Sequence, residues 1–281
     1  MAGSLTGTDL AYALILLSGA IHAVVNAILK SGKDKMAGRA LIDGSSAVFA
    51  IPLAIMSPLP HGAWGWLIGS AAIHLLYLYA LVRSFQIADF SAAYPIARGT
   101  APALTALLAI GLMDEVPTPT EVAGIVAIST GVLAMSLGRH ISRAALGWSL
   151  LTGVCIAAYT VVDANGVRAA PSALSYIGWS FMLLGFAIAA FFAWISGPGF
   201  VATVKDQWKP GVIAGMLSII TYGCALYAYR LAEATAPLAA LRETSILFAT
   251  LIAVFWLKEK VTPLRAAAAL AIAAGAILIL S

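Results

Sequence analysis

The chain repeats itself once. At an offset of 144 residues Trp64 answers Trp208, Ala88-Asp89 answers Ala232-Glu233, Arg98 answers Arg242, Glu115 answers Glu259, Thr118-Pro119 answers Thr262-Pro263 and Gly131 answers Gly275. Earlier in each half the offset shrinks, with Gly19 matching Gly153 and Ile42 with Ser45 matching Ile177 with Ser180. The second half therefore carries about nine extra residues, placed most simply near Gly199 to Gln207. Each half reads as five membrane crossings, and an odd number forces the second half to enter from the opposite side. The repeat is thus inverted, the arrangement by which many secondary transporters build two interchangeable halves around a midplane site.

Composition supports the crossings. Hydrophobic residues make up 62% of the chain and charged ones 10%, and the mean hydropathy is +0.97, too little polar surface for a soluble domain. At about 20 residues per helical crossing, ten spans are placed at 9–29, 40–57, 64–83, 91–113, 119–137, 147–165, 174–195, 209–230, 235–257 and 262–280. The expected fold is all-α and membrane-integral: ten transmembrane helices as two inverted five-helix repeats, 1–138 and 139–281, around a central cavity. No room remains for a soluble domain. The breaks combine charge with turn formers, as in Lys-Ser-Gly-Lys-Asp-Lys (30–35), Ser-Pro-Leu-Pro-His-Gly (57–62), Asp-Glu-Val-Pro-Thr-Pro (114–119) and Gly-Pro-Gly (197–199). The amino terminus has no Lys or Arg ahead of its apolar run, which continues past residue 25, so it reads as a first span and not a cleaved signal. Cys155 and Cys224 each lie alone in an apolar segment, which argues against a disulfide or metal site.

Loop charges give an orientation. The loops after spans one, three, five, seven and nine hold Lys30, Lys33, Lys35, Arg39, Arg83, Arg139, Arg143, Lys205, Lys209, Lys258, Lys260 and Arg265, against Arg168 and Arg230 on the other side. The positive-inside rule places the first group in the cytoplasm and both termini outside. In spans five and ten, Ala123, Ala127 and Gly131 recur as Ala267, Ala271 and Gly275, a face of small residues that lets membrane helices approach closely. Internal packing of the two halves is favoured for it over a homodimer contact.

Arg98 lies roughly 10 Å into span four, and Arg242 takes the same place in span nine. Facing lipid, each would cost at least ~2.5 kcal/mol, so both point into the bundle or a wet cavity. They read either as forks for an anionic group such as a carboxylate or as structural groups capping carbonyls or pairing with Glu243 or Asp163. Pro95 and Pro102 flank Arg98 and Pro237 precedes Arg242, making candidate hinges. Ser18, His22 and Asn26 share a helix face, as do Ser70, His74 and Tyr77; Ser91, Tyr94 and Arg98; Cys155, Tyr159 and Asp163; and Ser218 with Tyr222. Together with Trp179, these faces would line a cavity mixing aromatic rings with a few polar groups, which suits small amphipathic solutes. The alternative for any one of them is ordinary interhelical hydrogen bonding. His22, His74, Asp163 and Glu243 are the groups most able to take up a proton, Asp163 and Glu243 being placed near span ends. The candidate binding or gating set is therefore His22, Asn26, His74, Tyr77, Tyr94, Arg98, Tyr159, Asp163, Trp179, Tyr222, Arg242 and Glu243. No Walker-type loop, H-E-x-x-H pair, G-x-S-x-G elbow or Asp-rich metal cluster is present in the sequence, so neither cofactor nor metal nor enzymatic activity is expected.

The run Tyr94-Pro-Ile-Ala-Arg-Gly-Thr-Ala-Pro-Ala-Leu-Thr-Ala-Leu-Leu-Ala, then Met-Asp-Glu-Val-Pro-Thr (113–118), resembles the end of the first repeat of an EamA-type transporter of the drug/metabolite transporter superfamily. Leu-Lys-Glu-Lys-Val-Thr-Pro (257–263) resembles the end of the second, and His-Ala-Val-Val-Asn-Ala-Ile-Leu-Lys (22–30) is similar to a first span. The resemblance covers the whole chain. It implies a ten-helix basket moving metabolites by alternating access, usually outward, with bacterial amino-acid exporters among its members. Asp114 and Lys258 stand where the family usually has Gly, and the loop charges oppose its usual orientation, termini inside. The expectation is an exporter of small amphipathic metabolites, amino acids leading, in a bacterial inner membrane. The partners expected are the solute, the bilayer and, where transport is coupled, protons, with no nucleic acid and a monomer favoured. The rivals are a carrier of nucleotide-sugars or phosphorylated metabolites and, remotely, a membrane enzyme.

Overall fold

The computed structural model describes residues 6–31, 35–197, 200–255 and 262–281. It is helical, with no strand among the described residues. The helices are α1 (Gly7–Ser31), α2 (Lys35–Met56), α3 (Trp64–Ile87), α4 (Phe90–Met113), α5 (Pro119–Ala134), α6 (Arg143–Ala169), α7 (Ala173–Ser196), α8 (Phe200–Leu231), α9 (Ala236–Leu241), α10 (Ser245–Phe255) and α11 (Pro263–Leu280). Eight of them are long and apolar enough to cross a membrane. α5 is apolar but shorter, at 16 residues. Apolar side chains such as Ile55, Leu107, Trp194, Leu270 and Ile277 stay exposed along the outside, as a lipid-facing surface requires.

Helix starts follow the local sequence. Thr118 caps α5 in a capping box with Glu121, with Pro119 in the first turn where its missing N–H is no loss. Thr262 accepts from the Arg265 N–H and Pro263 follows it at the start of α11, so the threonine and proline recur although the capping-box glutamate does not. Asp114 ends α4 in the left-handed conformation (φ 55°), its N–H donating to the Ala109 carbonyl. An aspartate tolerates that conformation, so the aspartate standing in place of the family's glycine keeps a left-handed helix end. Its counterpart Lys258 lies outside the described residues, as do Lys33, Lys260 and most of the 257–263 motif.

One expected span is not continuous. The stretch placed at 235–257 divides into α9, a 3₁₀ turn at Arg242–Thr244 and α10. Pro237 falls in the first turn of α9 and does not make the break. The break coincides with Arg242 and Glu243 themselves. Its repeat counterpart, α4, runs through Pro95, Arg98 and Pro102 without interruption.

The packing exchanges under the repeat. α1 lies along α8 as α3 lies along α6, while α2 pairs with α7 and α5 with α11. Single residues show the same exchange. A Cβ on Gly153 of α6 would meet Thr100 and the Ala97 carbonyl of α4, and one on its partner Gly19 of α1 would meet Thr244 and Ser245 at the broken segment. Gly131 of α5 sits 3.0 Å (from its would-be Cβ) from the Ala268 carbonyl, and Gly275 of α11 sits 2.7 Å on the same measure from the Gly124 carbonyl. The small-residue faces of α5 and α11 are thus spent on each other.

Short connections make successive helices antiparallel, so the start of α1, the end of α11 and the 57–63, 114–118, 170–172 and 232–235 connections lie at one end of the bundle. Several cations read as loop charges belong to helices. Arg39 is one turn inside α2, Arg83 is in α3, and Lys205 and Lys209 are in α8. They remain at the end opposite the termini.

Candidate functional site

Arg98 from α4 and Arg242 from the 3₁₀ turn, equivalent by the repeat, reach the same small cavity, lined also by Glu243, Thr105, Ile156, Thr160 and Tyr229. Arg98 is 7% exposed, Arg242 9% and Glu243 3%. Arg98 Nε donates to Glu243 Oε2 at 2.9 Å, so Glu243 neutralises the distant arginine and not its neighbour Arg242. The guanidinium of Arg242 lies instead over the ring of Tyr222, 4.8 Å from its centroid, a cation–π contact that is strong once water is excluded. Two donors are left over. Arg98 Nη2 and Arg242 Nε have no hydrogen-bond partner among the described residues. Buried donors without a protein partner are rare. The cavity brings two guanidinium groups and one carboxylate together around a space of about 10 Å³, room for a single water in this conformation, and its spare donors are of the kind that grip an anionic group by charge-assisted bonds.

Beyond the Tyr222 ring stands a second polar group. Asp163 of α6 has no exposure. It accepts from Tyr176 Oη at 2.7 Å and from Tyr222 Oη. The sequence placed it near a span end where water reaches; α6 continues to Ala169, which puts Asp163 inside the bundle. Glu243, placed likewise, is interior too. His74 stacks on Tyr159 with centroids 4.0 Å apart and meets the edges of Tyr77 and Tyr222, and its Nδ1 contacts the Ser70 carbonyl at 2.9 Å. These side chains come from α3, α6 and α8, so the faces read from helical spacing do converge.

Two other members of the set, His22 and Tyr94, lie within electrostatic reach of Arg98 and Arg242. His22 and Asn26 are half-buried on α1, and Tyr94 is half-buried on α4. Trp179 on α7 packs edge-on to Trp64, centroids 5.1 Å apart, away from the arginine cavity.

Two features were not picked out from the sequence. Arg39 and Asp43, one turn apart on α2, form a paired contact at 3.0 Å and 2.5 Å; an Arg four residues before an Asp in an apolar span was the available signal. The other is a clasp at the termini end. Arg168 of α6 donates to the Tyr229 and Ala232 carbonyls, and Arg230 of α8 donates to the Val167 and Ala170 carbonyls. Each arginine caps the other's helix C-terminus, where cations are favoured. Glu115 from the α4–α5 connection binds Arg168 at 3.1 Å and both the N–H and hydroxyl of Thr235. The two cations on the sparsely charged side are therefore consumed in tying helix ends together.

The relatives agree with this architecture. A solved structure described only as "Crystal structure of protein" superposes with a TM-score of 0.74 at 19% identity, over 98% of each chain, which speaks for the fold alone. No curated protein sequence matches the chain. Residues 143–281, the second half, match the model of the EamA-like transporter family. With its helices built as multiple membrane crossings and its second half matching that model, the chain belongs to the EamA-like transporter family and is a multi-pass membrane transporter.

Proposed function

We propose that this transporter carries small amphipathic metabolites bearing a carboxylate, amino acids foremost, out of a bacterial cell across its inner membrane by alternating access. In this reading the chain makes ten crossings as two inverted repeats, with the divided α9/α10 segment counted as the ninth. The broken segment supports it, since discontinuous helices at a repeat interface are how such carriers present charged and backbone groups to solutes. The observation that carries the reading is the pair of repeat-equivalent arginines, each with an unpartnered buried donor on one cavity. Rocking of the halves would expose that cavity to alternate sides, the solute's differential affinity for the two states setting which prevails. A nucleotide-sugar or phosphorylated solute would bring more negative charge than two arginines, one already neutralised by Glu243, are placed to meet.

The test is release of labelled amino acids and aromatic metabolites from proteoliposomes, comparing wild type with Arg242→Gln. Arg242 is the better choice than Arg98, whose removal strands Glu243 as a buried charge. Transport of an amino acid that Arg242→Gln lowers tenfold or more, in a variant that still folds, supports the reading. Movement of phosphorylated solutes only would replace the substrate class.

A further inference from the structure

Arg39 and Asp43 form an ion pair that does no work in the fold described so far. The Arg98–Glu243 bond joins the two halves, and the Arg168–Arg230 clasp ties helix ends. Both members of this pair stand on α2, and among the described residues their side chains bond only to each other. The pair links no element to another. Nor does the repeat require it: with Ile42 and Ser45 matched to Ile177 and Ser180, the counterparts of Arg39 and Asp43 are Leu174 and Gly178. Charges inside an apolar span such as Met36–Met56 are costly, and this cost is offset by no bond between helices.

The pair faces inward and still meets water. Arg39 keeps 33% of its side chain open, yet lies within electrostatic reach of Tyr77 and Tyr159. Tyr77 stands ten residues before the end of α3, about 15 Å from that end at 1.5 Å per residue. A guanidinium that reaches so far into the bundle and stays accessible lines a chamber instead of turning out toward the headgroups. Tyr77 and Tyr159, packed edge to face with centroids 5.7 Å apart, are within the same reach of Arg98, so an aromatic lane runs from the pair to the arginine cavity. The backbone under the pair is held, since a Cβ on Gly185 of α7 would come within 2.7 Å of the Asp43 carbonyl. Its side chains are not saturated. Arg39 Nη2 donates to Asp43 Oδ1 at 3.0 Å, while Nε and Oδ2 touch at 2.5 Å without hydrogen-bond alignment, and neither has another partner among the described residues.

We propose that the Arg39–Asp43 pair is a zwitterion site at the cation-rich mouth of this transporter, where the carboxylate of an α-amino acid takes Arg39 and its ammonium takes Asp43. The inference deepens the solute reading above and rests on it. An α-amino acid carries both charges on one carbon, side by side as the pair's own charges are. It can therefore replace each partner for the other and leave no charge uncompensated. A carboxylate without an ammonium would leave Asp43 alone, and an amine without a carboxylate would leave Arg39 alone, each a largely desolvated charge with no partner. Amino acids are selected here by the rejection of solutes that bear one charge, whereas the arginine cavity grips the carboxylate that amino acids and plain carboxylates share. In the orientation read from the loop charges this mouth opens to the cytoplasm, the side from which an exported solute enters.

The experiment uses the full chain in proteoliposomes and follows exchange of labelled phenylalanine, tyrosine and leucine, each beside its deaminated carboxylate and its decarboxylated amine. Wild type should carry at least one of the amino acids about tenfold faster than either of its analogues, the discrimination expected of a charge left unpaired. Asp43→Asn should slow that amino acid to a similar degree and leave its deaminated carboxylate unchanged or faster, bringing the ratio between them near one. Arg39→Gln combined with Asp43→Asn strands neither charge and serves if the single variant fails to fold; the same loss of ratio is expected of it. Arg242→Gln should instead slow the amino acid and the carboxylate alike and keep the ratio. A pair that only braced α2 would, on removal, slow every solute alike. A ratio that survives in the double variant, or one that Arg242→Gln abolishes, therefore overturns the proposal. Wild type that carries the deaminated carboxylate as fast as the amino acid also overturns it, and leaves the carboxylate reading of the arginine cavity standing. Movement of none of these solutes removes the solute reading and this site with it.

Discussion

Arg98 and Glu243 stand 145 residues apart in the chain and 2.9 Å apart in space, so one buried ion pair joins the unbroken helix of the first half to the break in the second. The two side chains are 8% and 4% exposed, which places the bond in a medium where a lone charge is far more costly than a pair.

Breaking it from one side should therefore hurt more than deleting it. Glu243→Gln alone strands Arg98 and should lower stability by roughly 3–5 kcal/mol, the usual range for removing one partner of a buried pair. Arg98→Gln with Glu243→Gln should recover a substantial part of that loss. Thermal unfolding in detergent of the two single variants and the double variant measures the coupling. Additive losses would mean that the two charges do not act as a pair.

The crossing of α5 and α11 makes a steric prediction. A Cβ at position 275 would lie 2.7 Å from the Gly124 carbonyl and 3.0 Å from the Ile128 backbone nitrogen, atoms that cannot swing aside. Gly275→Ala should cost about 1–3 kcal/mol, as overpacking does, whereas Gly111→Ala, with nothing within 4 Å of its would-be Cβ, should be tolerated. Folded yield and melting temperature of both variants, side by side, decide it.

At the far side of Tyr222, Tyr176→Phe removes one of the two hydroxyls on Asp163 without changing the ring. Hydrogen bonds to charged groups are worth about 1.5–3 kcal/mol, and the loss should approach the lower end because Tyr222 still donates. A melting temperature unchanged from wild type would show that the Tyr176 hydroxyl contributes nothing net.

Orientation can be read directly, since the clasp accounts for Arg168 and Arg230 and leaves the other end as the cationic one. After Cys155 and Cys224 are replaced by Ala, Leu59→Cys should react with an impermeant thiol reagent on intact cells, and Leu137→Cys only after permeabilisation. Both positions are exposed, in connections at opposite ends of the bundle. The reverse labelling would place the termini inside.

Much of this architecture is written in the chain. Hydropathy marked the segments because lipid requires long apolar helices, eight of them long enough to cross, and the small residues repeated in spans five and ten anticipated that α5 and α11 would pack on each other. The offset of 144 residues marked Arg98 and Arg242 as equivalents, and their cost in lipid meant they had to face inward. Which carboxylate neutralises which arginine was open, because the neighbour in sequence, Glu243 beside Arg242, is bound across the bundle by Arg98 instead. The break at Arg242–Thr244 was equally hidden. No glycine or proline marks it, and the turn lies close against α1 at Gly19. Arg168 and Arg230 looked like loop charges because nothing in sequence says that two helix ends will come close enough to cap one another. The sequence alone determines which segments are apolar enough to enter a membrane and which residues are costly against lipid, since those are costs each residue carries by itself. The tertiary structure decides who partners whom, since a buried charge is satisfied by geometry, and geometry here is made between helices far apart in the chain.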